Sequence, residues 1–296
     1  MNTRHLILTG LAALAALLVT ACNAGKPLQT EVRDYADSTA HSFLTLHAEL
    51  PVPADAAAKA IRGKLVDIMD TQLSQITFGE PQRYFPRFEG NTDDTDALMA
   101  YYQGQTLSLI GRLSQEDADE RERYIREDGD LSEEEKAEIL ANSPAWGYEF
   151  NLKKIADTLG YVVFQSQNYI YQGGAHGGIT GDGYLTFDRK TGRYIEATVD
   201  PACTAAIQPL LVKGLLGYYS EFGEKMAEEE MRERLQIEGD LIPLPAWTPY
   251  PTAEGLCFVY QQYEIASYAD GMPSFIVSFD EIQPFLTAEA KQVLGR

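Results

Sequence analysis

Three observations predict an α+β fold of antiparallel sheet meanders packed with amphipathic helices, in two intimately packed halves. Period-two apolar alternation, as in Leu44-Leu46-Ala48-Leu50 and Tyr148-Phe150-Leu152, marks half-buried strands. Apolar residues at three-and-four spacing, as in Ile61, Leu65, Ile68, Leu73 and Ile76, mark helices with one buried stripe. The strands come in runs joined by short turns, the pattern of hairpins and meanders. An apolar fraction of 45% over 296 residues supplies an ordinary globular core.

At the N-terminus, Arg4 and His5 precede an apolar run from Leu6 to Leu18 that meets Val19-Thr20-Ala21-Cys22. The run is shorter than the roughly 20 apolar residues of a membrane span and has the shape of a secretory leader. Its ending resembles a bacterial lipobox, which implies a lipoprotein signal peptide over residues 1–21 and lipidation at Cys22. Residues 22–28 read as a short polar tether to the envelope. Asn23 is not the aspartate that commonly retains lipoproteins in an inner membrane, so an outer-membrane anchor is favoured where the cell has two.

Residues 29–147 form the expected N-terminal α+β half. A strand from Ala40 to Leu50 stops at Pro51 and Pro53, and a helix follows from Ala54 to about Ile76. His41 and His47 share the polar face of that strand, but six residues at ~3.3 Å each place them roughly 20 Å apart, so they do not share a metal. Gly79 to Gly90 reads as a loop with aromatic anchors, and a second helix spans Asp96 to Leu113. The acidic block Ser114 to Ala141 reads as two helical pieces joined at Asp128-Gly129-Asp130, the second opened by the capping box Ser132-Glu133-Glu134-Glu135. A calcium loop starting at Asp128 fails, with Glu133 where glycine is required and Ile139 where a bidentate glutamate is required.

Residues 148–296 form the expected C-terminal domain. It opens with a strand at Tyr148, a turn at Asp157 to Gly160 and a long strand from Tyr161 to Tyr171. After a glycine-rich loop come Gly183 to Asp188, a turn at Arg189 to Gly192 and a return strand, Arg193 to Glu196. Asp200-Pro201 has helix-start chemistry, with Ile207, Leu210, Leu211, Leu215, Tyr218 and Phe222 as the buried stripe. A more polar helix runs to about Gln236. The last strands are Leu256 to Ile265 and Ser274 to Phe279, around a turn at Ala266 to Pro273, and Asp280 caps a final helical turn.

Composition and motifs exclude several functions. A formal charge of −20 argues against nucleic acid, which needs clustered Lys and Arg. The chain has no His-Glu-x-x-His zinc motif, nucleophile elbow, Walker loop or dinucleotide fingerprint. No metal or cofactor is called for. Cys203 and Cys257 lie in a segment assigned to an oxidising compartment, and either a disulfide between them or two buried thiols fits the sequence. His176 stands among Gly173, Gly174, Gly177 and Gly178, where glycine permits a shaped loop. Its ring either holds that shape by hydrogen bonding backbone or acts as a base with an acid such as Asp182 or Asp188.

The sequence Tyr169 to Gly178, with Tyr184 to Asp188 and Thr191-Gly192, resembles the extracytoplasmic domain of lysozyme-sensing (RsiV-like) anti-sigma factors. The non-catalytic N-terminal region of PdaC-type peptidoglycan deacetylases is similar. Phe258 to Gly271, ending in Val277 to Ile282, is a second matching piece. The resemblance implies an α+β envelope protein that recognises a ligand without catalysis. It further implies that the turn holding Tyr268, Asp270, Gly271, Met272 and Pro273 meets the partner, with Ser267 where that family usually has proline. The expectation is therefore a lipid-anchored, non-catalytic envelope protein that binds a protein or peptidoglycan-related ligand, a lysozyme-like basic protein among the candidates. The alternative is a cell-wall hydrolase or deacetylase-like enzyme using His176.

Overall fold

Leu44, Leu46, Ala48 and Leu50 are at most 1% exposed, while the residues between them face away from the core. Their strand is the second of a five-stranded sheet in a computed structural model that describes residues 26–39, 41–76, 82–141, 145–173, 178–221 and 225–296. The leader, Cys22, most of the tether, Gly174, His176, Gly177 and Phe222 lie outside the described residues. The sheet contains β1 (Thr30–Ser38), β2 (Ser42–Pro51), β3 (Trp146–Asp157), β4 (Tyr161–Tyr171) and β5 (Ile179–Asp188), in that order. All neighbours are antiparallel except β2 and β3, which are parallel.

That parallel pair corrects the expected division of the chain. A boundary after residue 147 would fall inside β3, which is hydrogen-bonded to β2 on one side and β4 on the other. Parallel strands need a long crossover, and here α1 (Ala56–Ser74), α2 (Thr95–Glu127) and α3 (Glu133–Ala141) supply it. One core joins both supposed halves: Leu46, Ile61, Leu65, Leu98 and Tyr102 pack in the same cluster as Phe150, Phe164 and Phe187. The second core draws on residues from Val199 onward, so the division follows β5.

β1 escapes period-two reading because its sequence, TEVRDYADS, offers no apolar face. Backbone pairing with β2 along its whole length makes it a strand. Side chains on its helix-facing side then tie it down. Glu31 receives Arg62 of α1 at 3.2 Å, and Arg33 reaches Asp96 at 2.5 Å.

α2 is longer than expected. The first acidic piece is not a separate helix but the last turns of α2, which continues to Glu127 before breaking at the expected Asp128 to Asp130. None of its residues beyond Ser114 is buried, and successive pairs at i and i+4 support it: Arg112–Glu116, Asp117–Arg121 and Glu122–Arg126. The Ser132 box forms, with Ser132 N donating to Glu135 Oε2 at 2.8 Å. α3 turns back onto α2 through Lys136 Nζ, which donates to the Arg126 carbonyl.

Beneath the aromatic loop, Asp70 is 3% exposed and bonded by Arg83 Nη2 at 2.5 Å and Tyr102 Oη at 2.8 Å. Burial by itself would raise its pKa, but these two hydrogen bonds and the Arg83 and Arg87 charges outweigh it and hold the carboxyl below the ordinary value of 3.8. A depressed folded-state pKa means that the stability this group contributes is complete above the ordinary value and lost as pH falls below it. Urea unfolding at neutral pH and near pH 3 should therefore show a smaller acid-induced loss for Asp70→Asn, which starts less stable. An equal loss in both proteins would contradict the assignment.

After β5 the chain makes a single bridge, Phe187 to Tyr194, where a return strand is expected. Asp200 does cap the next segment, but as a 3₁₀ turn, Pro201–Cys203, ahead of α4 (Gln208–Glu221). The short α5 (Glu228–Arg234) follows. A second sheet has the order β6 (Tyr250–Pro251), β7 (Gly255–Val259) and β8 (Ser274–Ser278). α4 packs against β8, and a Cβ at Gly214 would stand 2.1 Å from the Phe275 ring, so a larger residue there would displace that ring. Ser278 rather than Asp280 caps α6 (Phe279–Ile282), accepting from Glu281 N, and α7 (Ala288–Leu294) closes the chain.

Candidate functional site

β7 stops at Val259, well before the expected end of the strand at Ile265. The Tyr260 amide still donates to the Pro273 carbonyl, but proline has no N–H to return the bond, and further on Tyr263 takes a φ of 64°, the only positive value at a non-glycine among the described residues. Left-handed backbone at a side-chain-bearing residue costs about 1–2 kcal/mol, so its surroundings must hold it. Glu264 supplies much of the clamp: Oε1 accepts from Ala246 N at 2.6 Å and Oε2 from Gln261 N at 2.7 Å. Tyr260, fully buried, donates from Oη to the Pro243 carbonyl at 2.8 Å.

The segment after β7 seals the free edge of β5. Gln261 behaves there like one peptide unit of a missing strand. Its Nε2 donates to the Asp182 carbonyl at 2.8 Å, and its Oε1 accepts from the Asp182 amide at 2.7 Å. Gln262 Oε1 accepts from Thr180 N at 2.9 Å. Further along, Ile195 N bonds Thr186 O and Asp188 N bonds Arg193 O, both at 2.8 Å. Side chains and loop thus occupy backbone groups that an open edge strand would offer to another chain.

The turn expected to meet a partner is built on a single 3₁₀ turn, Tyr268–Asp270. Tyr268 Oη donates to the Gly178 carbonyl at 2.9 Å, which ties this turn to the far end of the glycine loop. Asp270 Oδ2 accepts from Ser267 Oγ at 2.6 Å, and the Asp270 carbonyl accepts from Tyr218 Oη at 2.9 Å. Gly271 takes φ of 74°, which suits glycine. Met272 packs half-buried against Tyr184, Cys257 and Val259, and the Pro273 carbonyl accepts from Tyr260 N. The structure therefore gathers all five residues, but the Tyr268 hydroxyl and the Asp270 carboxylate hold the turn in place. The large side chain presented to solvent is Tyr263, 55% exposed, with its ring 5.8 Å from that of Tyr268.

Residues 216–280 match the model of a family described as a protein of unknown function, DUF3298. The DUF3298 segment holds Tyr263, the glutamine pair and the whole turn. A solved DUF3298 family member from Bacteroides fragilis resembles the chain with a TM-score of 0.64, over 91% of this chain and 98% of that one, at 14% identity. A DUF3298 family protein from Pseudomonas aeruginosa gives a TM-score of 0.52, over 90% and 97%, at 13% identity. At those identities the likeness speaks for the fold alone. No curated protein matches the sequence.

Gly173 follows β4 with φ of 78°, and His176 lies outside the described residues. Its suggested acid Asp188 is engaged as a turn cap, accepting from Lys190 N and Thr191 N. Asp182 accepts from Tyr184 Oη at 3.2 Å, and the Tyr184 ring stacks on Tyr250 at 4.0 Å. Cys203 and Cys257 are both free thiols, the first half-buried and the second buried. Burial pushes the Cys257 thiol up, which makes it a poor nucleophile. Among the described residues no group of three His, Cys, Asp or Glu could hold a metal, and no helix is long and apolar enough to cross a membrane.

Sequence reasoning missed Tyr263, Gln261 and Gln262. The available signal was the pair of glutamines directly after an apolar strand, where further β-formers are expected. Nothing in the spacing showed that their amides would face another sheet.

Proposed function

We propose that this protein is a lipid-anchored, non-catalytic binding protein of the bacterial cell envelope, recognising a protein or cell-wall ligand through the surface around Tyr263 and the Ala266 to Pro273 turn. The observation that carries this reading is an exposed tyrosine in left-handed backbone, flanked by the hydrogen bonds of Glu264. Backbone strain at an exposed aromatic residue is characteristic of recognition sites, where it pre-organises a contact. Rigid aromatic rings also serve as interface anchors. The anchor at Cys22 and the envelope location rest on the leader sequence.

A charge of −20 suits a basic partner such as lysozyme, through steering and electrostatic complementarity. Titrating the purified protein with lysozyme should give binding at low salt that weakens steeply as salt rises. Absence of binding and of lysozyme inhibition at low salt would remove the lysozyme version of the reading.

A further inference from the structure

The face of the five-stranded sheet opposite α1 and α2 carries a continuous polar row. Asp34 pairs with His47, His47 with Asn151, Asn151 with Gln167, and Gln167 with Asp182. Each strand contributes one side chain, so at about 4.8 Å per strand the row runs roughly 19 Å. A cleft of about 410 Å³ opens over its first four members, with Glu149 and Tyr169, paired across β3 and β4, as further lining. That volume falls within the range of small-ligand sites.

Two acceptors in the row have no partner. Asn151 Oδ1, within the cleft, and Asp182 Oδ1, beyond the cleft at the far end of the row, are both buried without a hydrogen bond. An unpaired buried polar atom is costly, and the one at Asn151 is left for a donor entering the cleft. The rest of the row is also rich in acceptors. Asp34 Oδ1 lies 2.6 Å from His47 Nδ1, and Glu149 is an exposed carboxylate one step along β3. The cationic side chain next on β3, Lys153, is in register with Gln165 and outside the cleft lining. A site with spare acceptors and carboxylates calls for a ligand that brings donors and positive charge.

We propose that this cleft binds an organic primary ammonium group on an extended, donor-rich chain, the ammonium meeting Glu149 and Asn151 Oδ1 while the chain lies along the row. An amino-sugar oligomer and a polyamine share that chemistry. Tyr263 and the turn do not line the cleft, and the proposal does not depend on the reading given to them.

The test is calorimetric titration of the purified protein with a glucosamine tetramer, its fully N-acetylated counterpart and spermidine. At least one amine should bind, and the acetylated tetramer should bind at least tenfold more weakly than the free-amine tetramer or spermidine, whichever is the tighter. Tighter binding of the tetramer assigns the site to glycans, and tighter binding of spermidine assigns it to polyamines. Glu149→Gln, at an exposed position, should weaken amine binding about tenfold, the loss of one charge-assisted bond. Asn151→Leu should abolish binding, and an unchanged melting temperature in Glu149→Gln keeps the test valid if Asn151→Leu does not fold. Failure of both amines to bind, equal affinity for the acetylated tetramer, or wild-type affinity in Glu149→Gln would each overturn the proposal.

Discussion

Arg62→Leu will destabilise the fold by about 3 kcal/mol, the scale on which breaking a buried, hydrogen-bonded charge pair acts. Arg62 is 1% exposed within α1, and its guanidinium serves four residues in three pieces of chain. Nε donates to the Thr92 carbonyl at 2.7 Å, Nη1 to the Pro51 carbonyl at 2.9 Å and to Glu31 at 3.2 Å, and Nη2 to Thr95 Oγ1 at 2.6 Å. Thr95 in turn donates to the same Glu31 carboxylate. One side chain thus joins the edge strand β1, the end of β2 and the start of α2. Leucine would take the guanidinium donors from the buried Pro51 carbonyl and Thr95 hydroxyl, whereas Arg62→Lys keeps the charge and should lose less. Urea unfolding of both variants measures the difference, and a loss below about 1 kcal/mol in Arg62→Leu would show that water replaces the guanidinium without difficulty.

Tyr263→Gly should separate stability from recognition. Glycine takes the left-handed conformation without the side-chain penalty, so the variant should be more stable by about 1 kcal/mol. Removing an exposed aromatic anchor should at the same time lower affinity for the partner by about tenfold or more. A gain in stability at a loss of binding is the pattern of a strained functional site. If Tyr263→Gly binds the partner as well as the native protein does, the recognition surface lies elsewhere. If it also loses stability, the ring contributes packing that outweighs the strain. Thermal unfolding and binding titration on the same preparation give both readings.

These two residues differ in how far sequence can reach. An arginine inside an apolar helical stripe is visible at position 62, but its four partners are contributed by residues 31, 51, 92 and 95, whose meeting depends on the packing of β1 and α2. Tyr263 reads as one more β-forming residue in Phe258-Val-Tyr-Gln-Gln-Tyr-Glu-Ile. Its reversal becomes visible only through the Glu264 carboxylate bonds to Ala246 and Gln261. The turn at Ala266 to Pro273 was accessible from its Asp-Gly chemistry, whereas the assignment of Tyr268 and Asp270 to internal bonds was not.

By itself the sequence determined the α+β class, the inward faces of β2 and β3, the stripe of α1 and the capping box before α3. Each depends on local periodicity or on residues three or four apart, which one segment encodes alone. Tertiary structure decided the rest. It placed β3 beside β2 in parallel and made a strand of the acidic β1. It also set Gln261 against Asp182, 79 residues away. In each case the deciding partner is distant in sequence, and hydrogen bonds between distant backbone and side-chain groups leave no period for a linear reading to detect.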